Sequence, residues 1–406
     1  MSIDKEISAD KEISADKEQS IIVSFWADPS SESVLADLVA ESSVGTWTPL
    51  TTMKPRIERL RARVLSREGN RVDVAYPLDL FEDASIPQLL SSVAGNIFGM
   101  RSIHHLKLLD FHFPPSYVET FPGPRWGIEG VRALMGTTES QRPHMGTIVK
   151  PKMGLTPKET AHVAYEAFVG GCDLVKDDEN LTNQRFCPFE ERVIAVLDAL
   201  EDAQSDGKPR MYVPNVTGPD MIGRADFVKD HGGKCVMIDF LTSGFAALHS
   251  LRSSTKLVIH GHRAMHAAMT RNPHHGVSMV ALGKLARLGG VDQLHIGAAV
   301  GKMAGGEEVL AVRDAVTGSL GVKPVFPVCS GGLHPGVVGA LIKRMGENIV
   351  IQAGGGIHGH PDGTRAGAMA MRQAIDAALA GVPADQYASS HPELEGALAR
   401  WGYRAD

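Results

Sequence analysis

A lysine and three carboxylates, Lys176-Asp177-Asp178-Glu179, close a short apolar run that begins at Cys172. The period-2 geometry of a strand puts Lys176 and Asp178 on one face, with Glu179 just past the strand's end. Two carboxylates converging there suit a hard cation such as Mg²⁺, which takes oxygen ligands and keeps positions for water or substrate. An ordinary Lys176 would neutralise those carboxylates. A CO₂-carbamylated Lys176 would instead add a third anionic oxygen. Taken alone, such a string reads as a solvated turn, and further charged stretches along the chain change that.

Lys150-Pro151-Lys152 ends another apolar run. Strand alternation predicts that both ammoniums point the same way, where repulsion and desolvation favour proton transfer. His260-Gly261-His262-Arg263-Ala264-Met265-His266 offers three histidines beside an arginine. Their spacing admits a transition metal, but Arg263 argues for an anionic substrate group with a histidine as acid/base. His295 is followed by a glycine-flanked Lys302, the pattern of a mobile lid carrying a charge. Ser330-Gly331-Gly332 and Gly354-Gly355-Gly356 end the last two apolar runs. In a barrel, Gly-rich turns at those places form a phosphate cradle.

Strands and helices must alternate to bring these ends together. Strands are predicted at 147–151, 172–176, 210–213, 235–239, 257–260, 293–296, 325–330 and 349–353. Helical patterns separate them, among them 156–169, 192–203, 279–288 and 363–380. This succession predicts an α/β protein with a (β/α)₈ TIM barrel over 125–406, its polar residues gathered just after the strands. Before it, 20–124 reads as an α+β, ferredoxin-like domain: a strand at 20–26, a helix at 32–40, a loop at 40–48, a hairpin over 61–68 and 71–77, a helix within 78–92 and a turn at 93–99. Residues 1–19 carry a charged repeat, DKEISA, whose Ile7 and Ile13 cannot build a core, so a disordered tail is expected.

The 406 residues carry a net charge of −6, with 43% hydrophobic and 22% charged residues. Mild acidity argues against a nucleic-acid surface. No apolar run approaches the roughly 18 residues that span a bilayer. The polar N-terminus has no signal-peptide pattern. The 4 cysteines stand far apart, as free thiols of a reducing cytoplasm would.

Several longer motifs are similar to those of the ribulose-bisphosphate carboxylase/oxygenase large-subunit superfamily, from about residue 20 to about 380. They are AESSxGTW at Ala40, YPLDLFE at Tyr76, GNxFG at Gly95, KPKxGL at Lys150, GGxDxxKDDEN at Gly170, HRAMHA at His262, GxxVGK at Gly297, SGGLH at Ser330 and GGGxxGHPxG at Gly354. The resemblance implies antiparallel homodimers in which Glu41, Thr46, Trp47 and Asn96 reach into the partner's barrel. It implies Mg²⁺ held by Asp178, Glu179 and carbamylated Lys176. Lys150 would be the catalytic acid/base with Lys152 its neighbour, and His262 a second acid/base. Arg263 and His295 would hold one phosphate, with His266 nearby. Thr46, Trp47, Gly331, Gly354 and Gly355 would line the other. Lys302 would ride the lid, and Ser330 would hydrogen-bond substrate.

Departures from the family pattern refine this. The family's threonine two residues before the base lysine is Ile148 here. The lid reads GAAVGKMAGG, and the chain stops soon after the last barrel helix, without a C-terminal latch. These features resemble RuBisCO-like (form IV) proteins. The expectation is therefore enediolate chemistry on a phosphorylated ketose or keto acid. Its first form is decarboxylation of a 3-oxo sugar-acid phosphate of the 3-oxo-isoapionate 4-phosphate type. An enolase or isomerase of the methionine-salvage type is second, and a genuine ribulose-bisphosphate carboxylase third. Retention of the lysines and carboxylates together argues against a non-enzymatic role.

Overall fold

The computed structural model describes residues 18–46, 48–300 and 307–404. Trp47, Lys302 and all but two residues of the repetitive tail lie outside them; Glu18 and Gln19 are helical.

Among the described residues, thirteen strands form two sheets. β1 (Ser20–Asp28), β2 (Arg63–Glu68), β3 (Arg71–Pro77) and β4 (His105–His112) pair antiparallel in the order β4-β1-β3-β2. Helices Glu32–Glu41 and Ile86–Val93 complete a βαββαβ unit, the ferredoxin-like arrangement expected. Alternation drives this sheet: Ile21, Val23, Phe25, Val72, Val74 and Tyr76 are all fully buried.

The second sheet is parallel: β5 (His144–Ile148), β6 (Leu174–Lys176), β7 (Met211–Val213), β8 (Cys235–Asp239), β9 (Val258–His262), β11 (Gln293–His295), β12 (Phe326–Ser330) and β13 (Val350–Gln352). Hydrogen bonds between Pro214, Val216 and Met237 close β7 onto β8, so the eight strands make a barrel. Each strand overlaps one predicted from sequence, within a few residues. Leu174, Met211, Met237, Phe326 and Val350 fill the interior, and helix Gly127–Leu134 plugs the N-terminal end with Ile128 and Val131. Only the C-terminal mouth is left for chemistry.

Two strands escaped the sequence. β4 reads HLKLLDFH, which lacks clean alternation. β10 (Gly276–Val277) is two residues long, leaves the barrel after β9 and pairs parallel with β4. Lys107 donates to the Thr270 and Asn272 carbonyls, Ser278 N–H donates to Leu108, and Trp26 stacks on His274 at 4.2 Å. These contacts fasten the antiparallel sheet to the barrel.

Burial also sets a pH response. His144 and His260 are fully buried, and desolvation pushes them down to about 4 and about 3. Unfolded histidine binds a proton near pH 6.5, so below that pH the unfolded chain takes up protons that the folded chain refuses. Stability from these two groups is complete above about pH 6.5 and falls as pH drops toward 4. Each contributes a slope of about 1.4 kcal/mol per pH unit. Urea midpoints are expected to fall measurably between pH 7.5 and 5; a flat profile would contradict this.

Candidate active site

Helix Pro157–Val169 delivers the chain to β6. Its start is set by a capping box: Thr156 Oγ1 accepts from the Glu159 N–H, and the Glu159 carboxylate accepts from the Thr156 N–H. The turn back into the strand uses Gly170, whose Cβ would lie 2.5 Å from the Arg365 carbonyl oxygen, and Gly171, at φ +106°. β6 then ends at Lys176, and the expected alternation holds. Lys176 and Asp178 face the barrel mouth. Asp177 turns away and takes up Arg192, the Tyr212 hydroxyl and the Asn215 N–H.

Lys176 is fully buried. Its Nζ donates to the Asp177 carbonyl at 2.8 Å, touches Met237 Sδ at 3.3 Å and lies 3.7 Å from Glu179 Oε2. Burial pushes its amine below the ordinary lysine range, against the upward pull of Glu179, Asp178, Asp239 and Asp177. A lowered amine spends more time neutral, the form that adds to CO₂. Asp178 accepts from Lys150 Nζ at 2.6 Å and from Asn180 Nδ2 at 2.8 Å. Burial raises its carboxyl, but those hydrogen bonds outweigh burial and hold it below the usual range.

The two lysines of KPK do not share an environment, contrary to expectation. β5 stops at Ile148, so strand alternation does not reach them. Lys150 turns inward to Asp178, whereas Lys152 is exposed and lines a shallow crevice with Asp178 and Phe186.

His262, at the end of β9, bonds Asp239 Oδ1 through Nδ1 at 2.7 Å, and its Nε2 lies 3.7 Å from Glu179 Oε2. Asp239 thus orients the ring toward the carboxylate centre. Sequence reasoning placed Asp239 at a strand end and gave it no role. The signal was present, since a carboxylate ends β8 as others end β6.

Behind His262 runs a buried chain. His260 Nδ1 lies 2.7 Å from Gln293 Oε1, His260 Nε2 lies 2.8 Å from His295 Nε2, and His295 Nδ1 lies 2.9 Å from Ser330 Oγ. Burial pushes His260 to about 3 and His295 well below 6.5, so both rings are neutral. Each neutral ring carries one N–H, so the protons along Gln293, His260, His295 and Ser330 run in a single direction. Both His295 nitrogens are therefore engaged within the protein. The ring lines a cavity beside Arg263, the neighbour expected of it. Ser330 lines that cavity and a second one at the mouth.

Two cavities flank the end of β12, and Ser330 and Gly331 line both. The first, about 490 Å³, is lined by Arg263, His262, His266, His295 and Glu308. Burial brings Arg263 to about 10, which leaves it cationic at neutral pH. Burial, with Arg263 and His262 adding to it, pushes His266 to about 4, so it is neutral. The second cavity, about 640 Å³, is lined by Lys150, Ile148, Gln352, Gly354, Gly355 and Arg404 among others. Gly331 and Gly332 take φ of +110° and +72°, which a side chain would strain. A Cβ on Gly354 would press on Lys150 Cε at 3.1 Å. Gln352 was not foreseen. It is the register partner of Ser330, and both its side-chain polar atoms are buried without a partner among the described residues.

Glu41 and Asn96 meet through a 3.2 Å hydrogen bond. Neither they nor Thr46 line the two cavities of their own chain.

A βαββαβ sheet fastened to a parallel barrel, with lysines and carboxylates at the barrel's C-terminal mouth, defines a barrel enzyme. The chain belongs to the ribulose bisphosphate carboxylase large-chain family: the family's catalytic domain matches residues 127–401 and its N-terminal domain residues 9–117. It is 49% identical over 398 residues to a ribulose bisphosphate carboxylase of Pyrococcus furiosus, covering 94% of each chain. It is 48% identical to that of Methanocaldococcus jannaschii, covering 91% of this chain and 94% of the relative. Among solved structures, an octameric Rubisco of Pyrococcus horikoshii superposes with TM-score 0.91 at 46% identity, covering 95% and 94% of the two chains. A dimeric archaeal Rubisco of Hyperthermus butylicus superposes with TM-score 0.87 at 46% identity, covering 95% and 97%.

Proposed function

We propose that this chain is a Mg²⁺-dependent ribulose-bisphosphate carboxylase. The observation that carries the proposal is a pair of cavities flanking the end of β12, one reaching the carboxylate centre through His262 and the other through Lys150. That layout fits a ketose with a phosphate at each end and an enolisable carbon between. The relatives named ribulose bisphosphate carboxylase favour this reading over the decarboxylase ranked first from sequence. The short C-terminus carries no weight against it, since 94% of the Pyrococcus furiosus chain is matched. Ile148, which lines the second cavity, remains the feature that favours decarboxylation or another RuBisCO-like reaction as the second reading.

The residues fit a magnesium ion. Among the described residues no three His, Cys, Asp or Glu side chains cluster as a ready metal site. A carbamate on Lys176 would add the missing anionic oxygen to Asp178 and Glu179. When bound, Mg²⁺ would polarise a substrate ketone and its neighbouring hydroxyl, lowering the barrier to C–H abstraction. Lys150, reaching from the second cavity to Asp178, would exchange the proton. His262, held by Asp239, would exchange the other. Arg263 would hold one phosphate, and the glycine turns at Gly331, Gly354 and Gly355 would admit the second against backbone.

A homodimer with shared sites is part of this reading: Glu41, Thr46 and Asn96, which line neither of the two cavities of their own chain, would reach the partner's barrel. Four buried free thiols support a reducing cytoplasm. A domain division near Pro124 lies between the two matched family segments. The deciding experiment is ¹⁴CO₂ fixation into ribulose bisphosphate after incubation with Mg²⁺ and bicarbonate. Sustained turnover is expected. CO₂ release from 3-oxo sugar-acid phosphates without fixation would install the second reading instead.

A further inference from the structure

We propose that Arg404 is an anion-binding residue of the second cavity, and that the segment 401–404 forms that cavity's outer wall. The inference rests on the phosphate reading of that cavity.

The segment is seated in register rather than trailing free. The Arg404 N–H donates to the Gly336 carbonyl at 2.9 Å. The Gly402 carbonyl lies so close to Gly336 that a Cβ there would sit 1.9 Å from its oxygen. Only glycine at 336 admits that approach. Trp401 lies against His334 and His360, with ring centroids at 6.0 and 6.5 Å. Gly336 lies six residues after the end of β12, so the barrel itself places the segment over the cavity.

Charge then singles out Arg404. The cavity's permanent cations are Lys150 and Arg404. Lys150 is committed to Asp178 at 2.6 Å. Burial, helped by the charge of Arg404, pulls His334 below its ordinary value, so it is neutral and feels that guanidinium. Arg404 has no ion pair with another described residue. Glycines 331, 332 and 354–356 line the same cavity and offer backbone and no counter-charge. A guanidinium at the rim of such a cradle matches a phosphate's geometry bidentately.

The test uses the full chain and three variants, Arg404→Ala, Arg404→Glu and Arg404→Lys. Protection against thermal unfolding by inorganic phosphate is titrated in an Arg263→Ala background, which silences the first cavity. The half-protecting phosphate concentration is expected to rise about tenfold for Arg404→Ala, further for Arg404→Glu, and to stay within about threefold for Arg404→Lys. In the native background, KM for ribulose bisphosphate is expected to rise by a similar factor with kcat within about twofold. Phosphate protection of Arg404→Glu equal to that of the parent would overturn the proposal. So would an anion-free unfolding midpoint lowered alike in all three variants. If the parent fixes no CO₂, the carboxylase reading falls while the phosphate titration still decides Arg404.

Discussion

Replacing Lys176 by methionine or arginine is expected to abolish CO₂ fixation, by at least about 10³-fold in kcat/KM, while the fold survives. Methionine matches the lysine's length and suits a pocket that already holds Met237 Sδ. Arginine keeps a charge but cannot neutralise at working pH, so it cannot take up CO₂. Removing a buried ammonium ordinarily strands its counter-charges. Here the neighbours have other partners: Asp178 keeps Lys150 and Asn180, and Asp239 keeps His262. The apo protein's unfolding midpoint should therefore hold within a few degrees, while stabilisation by Mg²⁺ with bicarbonate disappears. Fixation within tenfold of the parent would remove Lys176 from the chemistry and the carbamate with it.

The barrel was legible because its strands are covered on both faces. Each reads as a short apolar run bounded by glycine or charge, and Cys235–Asp239, buried at every position, was located to the residue. What was lost depends on contacts distant in sequence. β10 exists only because β4, about 170 residues earlier, offers an edge. Alternation placed Lys176 and Asp178 correctly because β6 is regular to its end. It failed for Lys150 and Lys152 because β5 had already stopped. The histidines show the same limit. Their strand ends were visible, but only the fold shows that Gln293 and Ser330 consume the ring nitrogens of His260 and His295. Arg404 gave no signal at all, since its relation to Gly336 is set by packing across the barrel rim.

Asp177 is expected to be the structural member of the Lys-Asp-Asp-Glu string, and breaking its pair with Arg192 should cost about 3–5 kcal/mol. Both side chains are fully buried, with Arg192 Nε 3.1 Å from Asp177 Oδ2. Tyr212 donates to the other oxygen at 2.7 Å, and Arg192 also donates to the Cys187 and Thr182 carbonyls. Arg192→Met leaves a carboxylate in the core with too few donors. Asp177→Ala leaves a guanidinium with no counter-charge. Either change should lower the thermal midpoint by on the order of 5–10 °C. Activity should fall as well, because the Asp177 N–H ties this turn to Val213 and its neighbours are Lys176 and Asp178. The double variant Asp177→Ala with Arg192→Met is expected to lose less than the sum of the single losses, since it strands no charge. Additive losses, or single costs below about 1 kcal/mol, would show that the pair does not hold the strand end in place.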